Sequence, residues 1–342
     1  MNMSEWIKSL PAMHKPMPIL SFPSVSLLGK NVYDLTHDAD IQAEGIVRVA
    51  KEVDSAAALT MMDLSLEAEA FGATIVASED EVPTVVGVLI SAEEDGEEGA
   101  LALIVPSVEN ARTALYLEAA KKAKTQITDR PVLAGMIGPF SLAGRLMDVS
   151  EAMMNCLCEP DFVHAVLRKT TDFLTQYAKA YKDAGLDGIV MAEPLSGLLS
   201  PDLEAEFSAT YVKEIIDAVQ DDDFSVIYHN CGPNTPMMID SLLSFGAAAY
   251  HFGDAIDLVS ILEKMPSDVP VCGNISPSAQ FLNGTPESIY AETYALIEKC
   301  KKYPNFVLSS GCDIPPATPW ENIHAFFKAC QDAYATDKTL EQ

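Results

Sequence analysis

Short apolar runs that stop at turn signals alternate with amphipathic stretches along most of the chain, and this alternation predicts repeated strand-then-helix units. Eight runs have strand length: PMPILSF (16–22), AALTMMD (57–63), PVLAGMI (131–137), DGIVMAE (187–193), SVIYHN (225–230), AAAYHF (247–252), VPVCGN (269–274) and NFVLSS (305–310). Helical spacing is expected over 38–53, 107–127, 159–185, 201–220, 236–246, 286–303 and 320–335, with a shorter helix in DAIDLVSILEKM. In the 38–53 segment Ile41, Ile46, Val47 and Ala50 fall on one face, with Asp38 or Asp40 as cap, and Ser107 is expected to cap the helix that follows it. Residues 4–10 predict a short helix stopped by Pro11, an extension ahead of the first strand.

Eight such units in order predict an α/β fold of the TIM (β/α)8 barrel type, built as one domain over residues 1–342. An open doubly wound sheet fits less well, because no glycine-rich phosphate turn follows the first strand. Between 73 and 104 the pattern changes to short apolar pieces around SAEEDGEEG. That stretch reads as an insertion after strand 2, a hairpin with an exposed acidic loop.

Charge narrows the function. The chain has 22 basic and 50 acidic residues, a net −28, so a basic groove for nucleic acid is excluded. Seven scattered cysteines do not form the framework of a small secreted domain, and reduced thiols in the cytoplasm are expected. No run of 18 apolar residues occurs and the first residues lack a signal-peptide pattern, so no membrane association is expected.

The chemistry concentrates at strand ends. In YHNCG, His229 and Cys231 are two positions apart at the end of an apolar run; on a strand they point the same way and can grip one ion. Cys312 ends a similar run in SSGCD. One imidazole and two thiolates make a zinc set with an open fourth position, as catalytic rather than structural sites have. The competing reading is plain burial, since a lone cysteine is most often a small core side chain. A barrel favours the metal reading, because strand ends share one face, where Asp63, Glu193, His229, Cys231, Asp254, Asn274 and Cys312 would converge. Glu67 follows the second strand, and His251, beside another strand end, is placed to line the pocket.

MDLSLEAEAFG (62–72), GPFSLAG (138–144), YHNCG (228–232), CGNISP (272–277) and SSGCDIPPATPWENI (309–323) carry a resemblance that spans most of the chain. In their order and spacing the sequence resembles the uroporphyrinogen decarboxylase superfamily, and within it the zinc-dependent methylcobamide:coenzyme M methyltransferases. The resemblance implies a barrel with zinc on His229, Cys231 and Cys312 and a methylcobamide carried by a partner corrinoid protein. It also implies a thiol such as coenzyme M, deprotonated on the metal, that takes the methyl group from cobalt. Asp63 and Glu67 lie in one of the resembling motifs, where they either bind substrate or hold a loop. Glu193 and Asp254 are candidates for the fourth zinc position or for orienting His229, and Asn274 is a further substrate-side candidate.

Three alternatives stay open: methyl transfer from a small methylated donor onto the corrinoid protein, a decarboxylase-like activity, and a non-catalytic corrinoid-protein partner with structural zinc. The decarboxylases have an arginine-rich N-terminal segment, whereas Arg48 is the only arginine before position 100 here. Nothing in the sequence selects among thiols or sets the oligomeric state.

Overall fold

The computed structural model describes residues 1–340. Its strands are β1 (Ala58–Leu59), β2 (Thr74–Val76), β3 (Thr84–Val86), β4 (Val132–Ile137), β5 (Gly188–Ala192), β6 (Ser225–Asn230), β7 (Ala249–Phe252), β8 (Val271–Ile275) and β9 (Phe306–Ser310). Seven of them form one curled parallel sheet in the order β1-β4-β5-β6-β7-β8-β9, with helices in the connections, the architecture of a TIM-like barrel. The remaining two, β2 and β3, pair antiparallel as a separate hairpin.

The eighth expected strand, over 16–22, is not one. Residues 16–20 pass between β9 and the segment leading into β1, and among the described residues they make one backbone–backbone hydrogen bond to each: Met17 N to Leu308 O at 2.9 Å, and Ala56 N to Pro16 O at 2.8 Å. The cause is Pro16 and Pro18, which have no N–H to donate toward β1, so no ladder can form on that side. β1 is likewise shorter than the 57–63 expected. There the ladder gives way to a side chain, as Gly135 N donates to Thr60 Oγ1 at 3.0 Å.

Strand residues alternate between two cores, as a closed parallel sheet requires. Leu59, Leu133, Val190, Ile227, Ala249, Cys272 and Val307 fill the interior, continued below by Met3, Trp6, Ile7 and Leu10 of the N-terminal segment. Helix Met3–Ser9 is tied beneath the barrel by Met3 N donating to Asp222 O at 2.6 Å. Val132, Ala134, Ile189, Val226, Tyr228, Tyr250 and Phe306 face outward against the helices. Each fully buried aliphatic side chain of this kind stabilises by roughly 1.5–3 kcal/mol.

Helix boundaries follow local chemistry. Asp38 caps helix Ala39–Glu52 through Asp40 N and Ile41 N. The helix expected from 107 starts only at Thr113; Ser107 bonds Glu109 N, and residues before 113 turn. The segment 201–220 is helical with a wide π turn at Ala205–Ala209. Within 73–104 the hairpin is followed by helix Gly96–Ala102, so the acidic stretch is partly helical. Helices Pro139–Met147 and Val149–Cys158 were not expected. The second contains Cys156, which is buried, and Cys158, which is exposed. Among the described residues no helix is long and apolar enough to cross a membrane.

Candidate metal centre

His229 and His251 are register partners on β6 and β7, both pointing into the barrel near its carboxyl-end rim. Their rings meet Nδ1 to Nδ1 at 2.8 Å. His251 Nε2 lies 2.7 Å from Ser309 Oγ, and the Ser309 hydroxyl donates to Met17 O at 2.7 Å. This chain assigns the tautomers. Because Ser309 has given its only proton to a carbonyl, it accepts from His251 Nε2–H. The bare Nδ1 of His251 then accepts from His229 Nδ1–H, which leaves His229 Nε2 as a free lone pair aimed at the rim. Burial, reinforced by the neighbouring His229, holds the His251 imidazole well below its ordinary pKa, in keeping with a neutral ring.

Cys312 Sγ lies 3.4 Å from that lone pair. Cys231 sits just past β6, in a turn built by Asn230, whose Oδ1 accepts from Gly232 N at 2.9 Å and Thr235 Oγ1 at 3.0 Å. A glycine makes room for it: a Cβ at Gly253 would stand 2.4 Å from Cys231 Cβ. The ligand atoms of His229, Cys231 and Cys312 all lie within 4.8 Å of one another, with His229 buried and both thiols half-buried. Tetrahedral zinc with N at about 2.0 Å and S at about 2.3 Å sets its ligands about 3.6 Å apart, so this donor set fits a zinc ion.

The hydrogen bond from Cys312 lowers the Cys231 thiol below its usual range, while Cys312, which donates it, is raised well above. A dication would favour the deprotonated form of both.

The other rim residues are placed differently. Glu193 is fully buried, accepts from Ser141 N at 2.5 Å, and lies across Gly138, where a Cβ would come within 1.7 Å of Oε2. Burial raises its carboxyl to about 8. Asp254 is exposed and its backbone packs against Gly311. Among the described residues neither carboxylate hydrogen-bonds to the His229 ring; His251 orients it instead. Asn274 ties the end of β8 to the loop after β7, donating to Gly253 O at 2.9 Å and Ile256 O at 2.8 Å. Glu67 accepts from Ile137 N at 3.1 Å while its Oε2 is buried without a partner, and burial raises it to about 8.

Both oxygens of Asp63 are occupied within the protein. Oδ1 accepts from Ser65 N and Oγ, and Oδ2 accepts from Arg112 Nη1 at 2.6 Å and Tyr116 OH at 2.9 Å. Asp63 therefore holds the loop after β1. Sequence reasoning passed over Arg112 and Tyr116 as its partners, Ser309 behind His251, and the backbone carbonyl of Met17. The one available signal was polarity, since Ser309 and Ser310 interrupt the apolar character of their strand.

A curled parallel sheet with a His/Cys/Cys donor cluster at its carboxyl-end rim defines the class: a barrel enzyme whose chemistry is mounted on strand ends. The chain belongs to the uroporphyrinogen decarboxylase (URO-D) family, which matches residues 19–333. It is similar to a methylcobamide:CoM methyltransferase of Methanosarcina acetivorans, 28% identical over 274 residues, covering 79% of this chain and 78% of that one. It is also similar to a uroporphyrinogen decarboxylase of Prochlorococcus marinus, 28% identical over 228 residues and 62% of each chain. Among solved structures a methyltransferase from Methanosarcina mazei superposes with a TM-score of 0.82 at 23% identity, over 96% of this chain and 98% of that one.

Proposed function

We propose that this protein moves a methyl group from a methylated corrinoid, carried by a partner corrinoid protein, to a small thiol such as coenzyme M, with zinc on His229, Cys231 and Cys312. The observation that carries the reading is the meeting of one imidazole nitrogen and two sulfurs within 4.8 Å at the barrel rim. The methylcobamide:CoM methyltransferase relatives, which align over 79% of this chain, support it. Zinc held by these three residues would supply Lewis acidity that lowers the pKa of a coordinated thiol.

The residues do the rest. His229 presents a lone pair because its proton is committed to His251, and Cys231 and Cys312 contribute two negative charges that keep the site electron-rich. The substrate sulfur forms the new S–C bond as the cobalt–carbon bond breaks, its electron pair staying on cobalt, and the thiol proton passes to solvent. Holding the sulfur at one point replaces a chance encounter, and such placement contributes up to roughly 7–11 kcal/mol in well-oriented reactions. Decarboxylation of a polyanionic porphyrinogen fits less well, since Arg48, the sole arginine before residue 100, is exposed on a helix.

The test is metal analysis of the purified protein, followed by incubation with methylcobalamin and a panel of thiols. One zinc per chain and formation of a methyl thioether are expected, both lost in Cys312→Ala. Methylation of cob(I)alamin by a small donor with no transfer to any thiol would reverse the direction, and a protein that binds zinc but transfers nothing either way would overturn the reading.

A further inference from the structure

The two turns that carry the sulfurs of the metal centre are braced by the same dipeptide. A Cβ at Gly253 would stand 2.4 Å from Cys231 Cβ, and a Cβ at Gly311, one residue before Cys312, would stand 2.7 Å from Asp254 N. Gly253 and Asp254, in the loop after β7, are thus packed by both cysteine-bearing turns. The sulfurs of Cys231 and Cys312 consequently lie no more than 4.8 Å apart, both half-buried and open to a small solute. The remaining cysteines differ. Cys156, Cys272, Cys300 and Cys330 are buried, and Cys158, though exposed, is two positions from Cys156 on one helix, where side chains so spaced do not face each other.

We infer that Cys231 and Cys312 form a site of reversible oxidation, a dithiol that a small peroxide converts to a disulfide and that a reducing dithiol restores, so that the metal centre can be switched off. The inference rests on the zinc-binding part of the reading above and not on methyl transfer. The sulfurs must close from at most 4.8 Å to about 2.05 Å, a movement that rotation about the two Cα–Cβ bonds supplies. The chemistry balances with the peroxide as oxidant. One thiol takes an oxygen atom from it as the O–O bond breaks, giving a sulfenic acid and the first water. The second sulfur then attacks the first, the S–O bond breaks, the S–S bond forms and the second water leaves. Two thiols are oxidised by two electrons in all, and the peroxide is reduced to two waters. The disulfide and the metal-bound state exclude each other. Tetrahedral zinc holds two thiolate sulfurs about 3.6 Å apart, whereas the S–S bond fixes them at about 2 Å and leaves neither with a negative charge. Only His229 would remain as a donor. A bond between half-exposed sulfurs is in turn within reach of a reducing dithiol.

The test treats the full chain with hydrogen peroxide, both zinc-loaded and after stripping with a chelator, and follows free thiols, intact mass, peptide linkage and released zinc. Both forms are expected to lose two of their seven thiols and the mass of two hydrogens, with Cys231 linked to Cys312. The loaded form is expected to release one zinc per chain, and dithiothreitol to restore both thiols and zinc uptake. Cys158→Ser is expected to change none of this, while Cys312→Ser is expected to form no disulfide and to carry added oxygen on Cys231. The wild-type linkage map is decisive by itself, whatever the stability of Cys312→Ser. Three results would overturn the inference: over-oxidised Cys231 in place of the bond, a disulfide elsewhere in the chain, or a loaded protein that keeps its zinc under peroxide. A chain that takes up no zinc but still forms the Cys231–Cys312 bond would support the oxidation site and sink the functional reading instead.

Discussion

His251 stands between His229 and Ser309, accepting from the one and donating to the other, with ring and hydroxyl contacts of 2.8 and 2.7 Å. The relationship fixes which nitrogen of His229 is free, so metal affinity depends on a residue that itself touches no metal. His251→Ala is expected to weaken zinc binding about 10- to 100-fold, the usual effect of losing a ligand's supporting partner. Competition with a chromophoric chelator measures it, and unchanged zinc affinity would show that the relay is idle. Ser309→Ala leaves His251 Nε2 and Met17 O unpaired and is expected to cost about 1–3 kcal/mol in urea unfolding.

Gly253 has a steric task. A methyl group there would stand 2.4 Å from Cys231 Cβ and 2.5 Å from its Cα, with no flexible side-chain end to yield. Gly253→Ala is expected to displace Cys231, to cost about 1–3 kcal/mol, and to lower zinc content in the purified protein. Full zinc occupancy in that variant would mean that the turn after β6 can move away freely.

Asp63 and Arg112 form a buried pair at 2.6 Å, with the carboxylate side chain fully out of solvent. Arg112→Met strands that charge and is expected to cost about 3–5 kcal/mol of stability. Zinc content of the folded fraction should stay at the wild-type value. A variant that folds normally and loses only activity would instead place Asp63 at the substrate.

Glu67 provides a pH test. Its folded pKa of about 8 lies above the unfolded 4.5, so between these values the native state binds more protons than the unfolded chain. Its contribution to stability therefore falls as pH rises through that window, by at most about 1.4 kcal/mol per pH unit, and is level below it. Glu67→Gln keeps an acceptor for Ile137 N and removes the titration. The variant is expected to melt higher than wild type at pH 8 and equally at pH 4; an unchanged difference across that range would show that Glu67 is ionised in the fold.

The barrel was legible because burial on both faces writes parallel strands as short apolar runs, and seven of the eight expected runs are strands. The eighth misled because PMPILSF has the hydrophobicity of a strand, while its prolines delete the donors a strand needs. Of the site, His229, Cys231 and Cys312 could be read because ligand chemistry needs particular side chains at strand ends. Their support could not. Met17 contributes only a carbonyl, and Ser309 is a common residue in a strand. Asp63 stayed open between substrate and loop for the complementary reason, since its partners Arg112 and Tyr116 lie far along the chain, at the start of another helix.

The proline-bearing segment that replaces a strand has a consequence for assembly. Met17 and Ile19 meet Leu308 and Ser310 across almost the full length of the polypeptide, and Cys312 follows directly after that seam. Contacts so remote in sequence are entropically expensive and form late. A nascent chain that stops before Phe306 therefore carries His229 and Cys231 but neither the seam nor Cys312, so the donor set cannot be assembled until that strand has been made.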